Sequence, residues 1–429
     1  MKKLLSMLLA LVMVFSLVAC ANDQGNNETP NEKPSASTPV ENEQPNQGGE
    51  KEPELKPYKI AVAFTQINAT ALAQQKYLKE YVAPAFNVEF MFSEAVDSAE
   101  VAMTFLENAY AAGCQAVMNF QNSSVEQINA KANELGMYII NNTMPVENSD
   151  LPYVLGYLTV SVEEISEMYR KIVEDLTADG EKRNFVIVSA GAGLGNTHHY
   201  QYTYTMLEAL QDAYGLTYSD TIENLAASRG MVELETGSDV KVLLYPGYPN
   251  SDTYVSGLSA ELQTGEYDVV LGCNQATAKF AVAIDEVERA YDMDIKVIYF
   301  ASVDDSTTAG FATKDVHGNS SIDSVLIQPG NLLVGSMFSI LYNGVSGHAD
   351  VMRPNGEGFY FGAPIWEAAG EDAYNAIATL DGTDGNHEIS VEEIQNMLVI
   401  FNSDVTCESI QEQLKGATAD ATLAARGLK

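Results

Sequence analysis

Two short stretches of the chain contain residue types that bind phosphates or metal ions. The segment Gly191–Gly195 lies between a predicted strand and a predicted helix, but it has G-x-G-x-G where a dinucleotide-binding turn requires G-x-G-x-x-G. His198 and His199 are adjacent, so on a helix their rings point about 100° apart, and no third His or thiol stands at a ligand spacing. We therefore predict no nucleotide cofactor and no metal here, and we interpret the glycine segment as a tight loop lining a cleft.

The acidic segment Asp381–Glu393 is similar to a calcium-binding loop. Alignment on Ile389, however, places Gly382 first and His387 sixth, where such a loop needs Asp and Gly. Ser390–Glu393 is better explained as a capping box that begins a helix. No G-x-S-x-G motif occurs, and no two of the abundant carboxylates are singled out as an acid/base pair. These patterns favour a protein that binds a ligand without catalysing a reaction.

The elements that position these residues follow a regular alternation of short apolar runs and amphipathic stretches. A first series of such strands comprises Lys59–Phe64, Val88–Phe92, Ala116–Phe120 and Met137–Ile140, and a second series extends to Tyr342. The alternation predicts βαβ units and hence an α/β fold of two doubly wound parallel-sheet lobes. Ligands bind at the carboxyl ends of the strands in such sheets, so facing lobes would share one cleft.

Length and charge narrow the classes of function. The chain has 429 residues, with 59 Asp+Glu against 23 Lys+Arg, and a net charge of −36. Such a charge repels phosphate backbones, so we expect no nucleic-acid partner. With 46% hydrophobic and only 19% charged residues, most of the chain is able to bury a core, and its length suits two or three lobes.

The amino terminus has the pattern of an exported, anchored protein. An apolar run over residues 4–19 has the length of a signal-peptide core, and Leu17–Cys20 resembles the bacterial lipobox, in which the cysteine is lipidated. The stretch that follows is rich in Asn, Glu, Pro, Gln, Ser and Gly and cannot form a core. We expect a signal peptide over 1–19, then lipidated Cys20 with a disordered tether over 20–57. The protein would lie on the extracytoplasmic face of a bacterial cell membrane.

Three cysteines remain in the folded part, namely Cys114, Cys273 and Cys407. Their odd number excludes a complete disulfide framework, although one bridge stays open. Each lies among apolar neighbours, so we interpret them as small buried hydrophobic residues.

Four stretches of the folded part carry a resemblance to a known family. They are Lys59–Asn68, Asp268–Ala278, Ile298–Asp305 and Ser324–Gly335. In these residues the chain is similar to solute-binding proteins of the type I periplasmic-binding fold, near the ribose and galactose binders that serve ABC importers. The resemblance implies that Asn274, Asp304 and Gln328 contact the ligand.

The sequence departs from the sugar binders at positions that matter for the ligand. Asn68 is followed by Ala69–Ala71 instead of aromatic residues, Asn142 stands where an acidic–basic pair is expected, and the arginine clamp is missing. We expect Asn68 and Asn142 to make polar contacts and Tyr248 to stack on a sugar or on a sugar-like, aromatic polar solute. Tyr248 belongs to a local supply of tyrosines, namely Tyr200, Tyr202, Tyr204, Tyr245 and Tyr248.

The resemblance also sets the expected domain boundaries. Lobe 1 is expected to span residues 58–156 and 329–362. Lobe 2 is expected to span residues 157–328 and 363–429. Its last part, from Ile365 onward, is an extension beyond the length that the family requires, and we expect helices within it.

The resemblance implies a mechanism of hinge closure, with chain crossings between the lobes near Gly156, Gln328 and Phe359–Pro364. It implies a monomer that captures a small molecule outside the cell and delivers it to the permease of an ABC transporter, while the protein itself catalyses nothing. Two alternatives stay open. One is a ligand-sensing lipoprotein that signals to a membrane receptor or kinase, and the other is a secreted enzyme that uses the same cleft.

Overall fold

The computed structural model describes residues 53–189, 197–247, 249, 251, 253–380 and 386–429. The expected signal peptide, Cys20 and most of the expected tether therefore lie outside the described residues. The folded part begins with a strand at Tyr58, as predicted.

The first sheet is entirely parallel, with strand order β12-β5-β4-β3-β1-β2. Its strands are buried on both faces except at the edge, which explains why they read as continuous apolar runs. They are β1 (Tyr58–Ala63), β2 (Val88–Phe92), β3 (Ala116–Asn119), β4 (Tyr138–Asn141), β5 (Val154–Val160) and β12 (Phe359–Ala363).

The second sheet has the order β13-β11-β10-β9-β6-β8-β7, in which the central strands are parallel and the two edge strands, β13 and β7, are antiparallel. The predicted α/β class with parallel sheets is confirmed. The strands are β6 (Phe185–Ser189), β7 (Val232–Glu233), β8 (Val242–Pro246), β9 (Val269–Gly272), β10 (Lys296–Ala301), β11 (Ser324–Ile327) and β13 (Trp366–Ala369).

Helices connect the parallel strands, as βαβ units require. Among the described helices, none combines the length and the apolar content that crossing a membrane requires. They are α1 (Ala69–Tyr77), α2 (Ala83–Phe86), α3 (Ala99–Ala111), α4 (Val125–Leu135), α5 (Val162–Thr177), α6 (Thr197–Tyr214), α7 (Ile222–Ala226), α8 (Tyr254–Leu262), α9 (Ala281–Tyr291), α10 (Asp305–Ala312), α11 (Gly330–Asn343), α12 (Glu371–Ala378), α13 (Val391–Asn396), α14 (Cys407–Gly416) and α15 (Ala419–Ala425).

The first passage between the sheets differs from the expected boundary at Gly156. Strand β5 continues to Val160, and its pairing with β12 extends from Gly156 opposite Phe359 to Val160 opposite Ala363. All seven residues of β5 are buried, so its backbone groups stay in the ladder until the strand ends. The later passages follow β11 and β12, close to where the sequence placed them.

The later part of the C-terminal extension, from Ile389 through α14, lies against the first half, whereas the sequence assigned all of residues 363–429 to lobe 2. Helix α13 packs on α11, and α14 packs on β12. Asn343 donates a hydrogen bond of 2.9 Å to the carbonyl of Met397, and the Tyr77 hydroxyl donates one of 2.9 Å to the carbonyl of Ile389. Burial of apolar side chains explains this placement, since four of them are almost fully buried there: Ile389, Ile394, Met397 and Leu398. The first part of the extension stays with the second sheet, since β13 is a strand of that sheet and α12 contacts α10 and β13.

Two local predictions from the sequence are confirmed. Ser390 and Glu393 form the predicted capping box at the start of α13. The three cysteines of the folded part are buried and unpaired, so the disulfide that the sequence left open does not form among them. Residues 381–385, which include much of the calcium-like loop, lie outside the described residues.

Candidate functional site

A cavity of about 290 Å³ lies at the carboxyl ends of the second sheet's strands, opposite two helices of the first sheet's side. Helix α11 packs on β3, β4 and β5, and α1 packs on α11, so both belong to the first half of the molecule. The residues from the first half are Thr70, Gln74, Gly330 and Leu333, and those from the second half are His198, His199, Tyr202, Cys273, Asn274, Gln275, Phe300, Ala301, Ser302 and Gln328. The predicted shared cleft thus has lining residues on both sides.

Two predicted asparagines cap helices at the mouth of this cavity. Asn274, which lines the cavity directly, accepts a hydrogen bond of 2.8 Å from the N–H of Ala276 and so begins a short 3-10 helix. Asn68 accepts one of 2.9 Å from the N–H of Ala71 and begins α1. Such caps fix the first helical turn. Asn68 therefore positions Thr70 and Gln74, but it is not itself a lining residue.

The predicted Asp304 lies one layer behind the cavity. Its Oδ1 accepts a hydrogen bond of 2.9 Å from the N–H of Thr307, which caps α10. Its Oδ2 accepts one of 2.7 Å from the amide Nε2 of Gln275, and Gln275 lines the cavity. Asp304 thus orients a lining amide instead of presenting its own charge. Sequence reasoning missed Gln275, although its position directly after Asn274 was an available signal.

Gln328 is a lining residue with an unused hydrogen-bond donor. Its Nε2 is buried and has no hydrogen-bond partner among the described residues. A buried donor without a partner costs about 1–3 kcal/mol, and a ligand oxygen in the cavity would remove that cost. Gln328 therefore lines the cavity with a free donor, and its role as a ligand contact stays a prediction.

The remaining predicted residues do not line the cavity or cannot be described. Asn142 donates a hydrogen bond of 2.8 Å to the carbonyl of Leu158, so it ties the end of β4 to β5. Tyr248 and the segment Gly191–Gly195 lie outside the described residues.

An aromatic ledge forms one side of the cavity. The rings of Tyr202 and Phe300 stack with centroids 4.0 Å apart and planes 7° from parallel, and both residues line the cavity. The ring of His198 lies 6.5 Å from Tyr202 with planes 16° apart. The sequence singled out five tyrosines. Among those that the structure describes, Tyr202 is the one that lines the cavity. Tyr245 points into the core, where its hydroxyl donates a hydrogen bond of 2.7 Å to the carbonyl of Tyr254.

Burial favours the neutral form of both histidines. Burial lowers the pKa of His198, whose Nε2 lies 3.2 Å from the hydroxyl of Thr159. Burial, followed by the charge of His198, lowers the pKa of His199 to about 4. The described lining of the cavity contains no Lys, Arg, Asp or Glu. The cavity therefore offers amide, hydroxyl and imidazole groups without a net charge.

The two halves also touch directly at the rim. The Thr70 hydroxyl of α1 donates a hydrogen bond of 3.1 Å to the hydroxyl of Ser302, which follows β10. This contact joins residues separated by 232 positions in the chain. A side chain from each half thus closes part of the cavity's edge.

Comparison with known proteins identifies the fold. The chain is similar to an ABC transporter solute binding protein from Bacillus halodurans C-125 with bound myo-inositol, with a TM-score of 0.54 and 14% identity over 76% of this chain and 99% of that one. It is also similar to a galactofuranose binding protein, with a TM-score of 0.53 and 10% identity over 76% of this chain and 98% of that one. A third similar structure is an ABC transporter solute binding protein from Burkholderia graminis C4D1M in complex with D-arabinose, with a TM-score of 0.52 and 12% identity over 74% and 96% of the two chains. No protein-family model and no curated protein matches the chain. The chain has the type I periplasmic-binding fold that the sequence predicted.

Proposed function

We propose that this protein captures a neutral, hydroxyl-rich small molecule, a sugar or a cyclic polyol, in the cavity between its two halves. The observation that carries the proposal is the uncharged polar lining together with the unpaired Nε2 of Gln328. Sugar hydroxyls both donate and accept hydrogen bonds, so amides and hydroxyls suit them. A carboxylate or ammonium ligand would instead need a charged partner to offset its desolvation.

The aromatic ledge supports the same class of ligand. The apolar face of a sugar or polyol ring packs well on an aromatic face, and the rings of Tyr202 and Phe300 already lie at the cavity. The neighbours in complex with myo-inositol and D-arabinose share this fold, and their ligands belong to the proposed class.

Capture would proceed by closure of the two halves about the three passages of the chain. Lining residues come from both halves, so a ligand that contacts both stabilises the closed form over the open one. In this proposal the halves follow the two sheets, with the first passage after Val160 and with α13 and α14 moving with the first sheet.

Delivery and anchoring complete the proposal. Lipidation of Cys20 and the tether that follows it would hold the protein on the extracytoplasmic face of the membrane, as a monomer beside the permease of an ABC transporter. A ligand sensor would use the same closure to signal to a receptor or kinase. Uptake assays in cells lacking this protein separate the two, because loss of ligand uptake indicates delivery to a permease.

The alternative to consider for this cavity is an enzyme with a cysteine nucleophile, because Cys273 and His199 both line it. Burial raises the pKa of Cys273 to about 12, so its thiol stays protonated and is a poor nucleophile. The Cys273 Sγ lies near the Thr203 hydroxyl, at 3.5 Å, and near the carbonyl of His199, at 3.9 Å. We therefore propose a binding protein that does not turn its ligand over.

The test is a thermal-shift screen of the full-length chain with neutral sugars and cyclic polyols, beginning with myo-inositol and D-arabinose. A ligand that binds only the native state adds about 2.7 kcal/mol to the free energy of unfolding at a concentration of 100 Kd. The melting temperature rises as a result. Gln328→Ala should weaken the binding of the best ligand about tenfold, because it removes a buried hydrogen-bond donor. Gln127→Ala on the exposed surface of α4 is the matched control and should change nothing. Consumption of the ligand during the assay would contradict the proposal.

A further inference from the structure

Three carboxylates meet at the end of the second sheet that lies away from the cavity. Glu288 lies in the last turn of α9, Asp294 lies in the turn before β10, and Asp315 lies in the loop after α10. One carboxylate oxygen from each lies within 4.8 Å of the others.

Glu288 is the unusual member of this group. Its side chain is 2% exposed, its Oε1 accepts a hydrogen bond of 2.9 Å from the N–H of Ile295, and its Oε2 is buried without a hydrogen-bond partner among the described residues. A buried carboxylate oxygen without a partner is unfavourable, and the last turn of a helix carries the negative end of its dipole, which adds to the penalty. Burial above all, and then the neighbouring carboxylates, raise the pKa of Glu288 to about 7. A bound cation would remove each of these costs.

The other two carboxylates are held in place by their own contacts. Asp315 Oδ1 accepts hydrogen bonds of 2.8 Å and 2.9 Å from the N–H groups of His317 and Asn319. The Nε2 of His317 lies 2.9 Å from the carbonyl of Met293, which ties the loop of Asp315 to the turn of Asp294.

The lysine that pairs with Asp294 makes no hydrogen bond to the buried Oε2 of Glu288. Lys296 pairs with Asp294 Oδ2 at 2.6 Å and with Asp323 Oδ1 at 3.1 Å, so its ammonium group is shared between these two carboxylates. The unpartnered Oε2 of Glu288 is not among its contacts in the described structure. The cluster therefore has more carboxylate oxygens than the local positive charge can offset.

We propose that Glu288, Asp294 and Asp315 bind one calcium ion. An all-oxygen set of carboxylates is the ligand chemistry of a hard divalent cation. Calcium–oxygen bonds of about 2.3–2.6 Å place opposite oxygens up to about 5 Å apart, whereas magnesium bonds of about 2.0–2.1 Å bring them within about 4 Å. Oxygens that all lie within 4.8 Å of one another fit inside the span of a calcium shell, with water and backbone carbonyls to complete it.

The ion would stabilise the fold without taking part in ligand capture. Strand β10, from Lys296 to Ala301, separates the cluster from the cavity by about 17 Å at roughly 3.3 Å per residue. Calcium would fasten the end of α9 and the loop after α10 to the start of this strand. We expect it to raise the melting temperature and to leave the affinity for the cavity's ligand unchanged.

The experiment is calorimetric titration of the chelator-treated, full-length chain with CaCl2 at physiological ionic strength, together with melting curves. We expect one saturable site, a higher melting temperature with calcium, and a smaller effect of MgCl2. Glu288→Gln and Asp315→Asn should each weaken calcium binding at least about tenfold. Glu286→Gln is the matched control, since it removes the same charge from an exposed position of the same helix and should keep the site.

The control is needed because a chain of net charge −36 attracts cations at many places. Equal loss of calcium binding in Glu286→Gln and Glu288→Gln would overturn the site, and so would the absence of saturable binding in the unmodified chain. Asp315 lies in a surface loop, so its variant decides the question if Glu288→Gln does not fold. Because these readouts involve no sugar, failure here leaves the proposed function untouched.

Discussion

The two ends of the second sheet differ in charge although the same strands form both. At the carboxyl ends of β9, β10 and β11 the cavity is lined by the neutral side chains of Asn274, Gln275 and Gln328. At the amino end of β10, Glu288, Asp294 and Asp315 form a cluster of carboxylates. In a chain of net charge −36, the described lining of the cavity is thus free of charged side chains. Our two proposals follow from this difference: recognition of an uncharged ligand at one end and binding of a stabilising ion at the other.

The largest expected effect is a loss of stability when a methyl group is added at Gly272, where the neighbouring side chains leave no space. Gly272 ends β9, and a Cβ there would lie 2.1 Å from the Oγ1 of Thr277 and 2.7 Å from the Cβ of Tyr299. We expect Gly272→Ala to lower the free energy of unfolding by about 1–3 kcal/mol, because the neighbours must shift to admit the methyl group. Urea unfolding measures the change.

Gly230→Ala is the control for this substitution, since a Cβ at Gly230 meets nothing within 4 Å. It should leave the unfolding midpoint nearly unchanged. Displacement of the Asn274 loop should also weaken ligand binding in Gly272→Ala while calcium binding at the far end persists. Equal loss of both would show that the two ends are not independent.

The next effect concerns the aromatic ledge. Tyr202→Ala removes the ring that stacks on Phe300, so we expect roughly a tenfold loss of affinity for the ligand, from lost stacking and lost apolar contact. Tyr202→Phe keeps the ring and should keep the affinity within about twofold. Calorimetric titration with the best neutral ligand is the measurement. Unchanged affinity in Tyr202→Ala would remove the ledge from the site.

The smallest effect is a pH dependence of stability at the neutral end. Burial lowers the pKa of His199 to about 4, so its contribution to stability is present above its unfolded pKa of about 6.5 and is lost as the pH falls toward 4. Between pH 7 and pH 6 we expect His199 to account for a loss of about 0.7 kcal/mol. The side chains of Tyr202 and Cys273, which also line the cavity, are uncharged throughout this range.

The measurement is the difference between the unmodified chain and His199→Gln in urea unfolding at the two pH values, which cancels the titration of the many carboxylates. A smaller pH dependence in the variant is the expected result. Equal pH dependence would mean that His199 is accessible to protons in the folded state.

The fold was predictable because alternating apolar runs and amphipathic helices report directly on a parallel sheet covered on both faces. The capping box at Ser390 and the burial of the cysteines are equally local, and they were confirmed. The site was predictable only in part. Asn274 and Gln328 line the cavity, whereas Asp304 acts through Gln275, a contact that depends on how two loops from different strands meet.

Contacts between residues far apart in the chain could not be predicted, because no short sequence pattern reports on them. The extension packs against α11 through apolar side chains that are distant in sequence, and the hydrogen bond from Tyr77 to the carbonyl of Ile389 joins residues 312 positions apart. The carboxylates at 288, 294 and 315 belong to three separate elements, so their spacing in the chain follows no metal-binding pattern. Periodicity predicts elements, but it does not predict which loop ends lie side by side.

The most direct test of the account is a melting-temperature series with ligands that differ only in charge. Neutral sugars and cyclic polyols are compared with their acid and amine counterparts on the unmodified full-length chain. We predict that at least one neutral member raises the melting temperature in a saturable manner and that its charged counterparts do not, because the described lining holds no charged side chain to offset them. A charged counterpart that stabilises the protein more than its neutral parent would contradict the account.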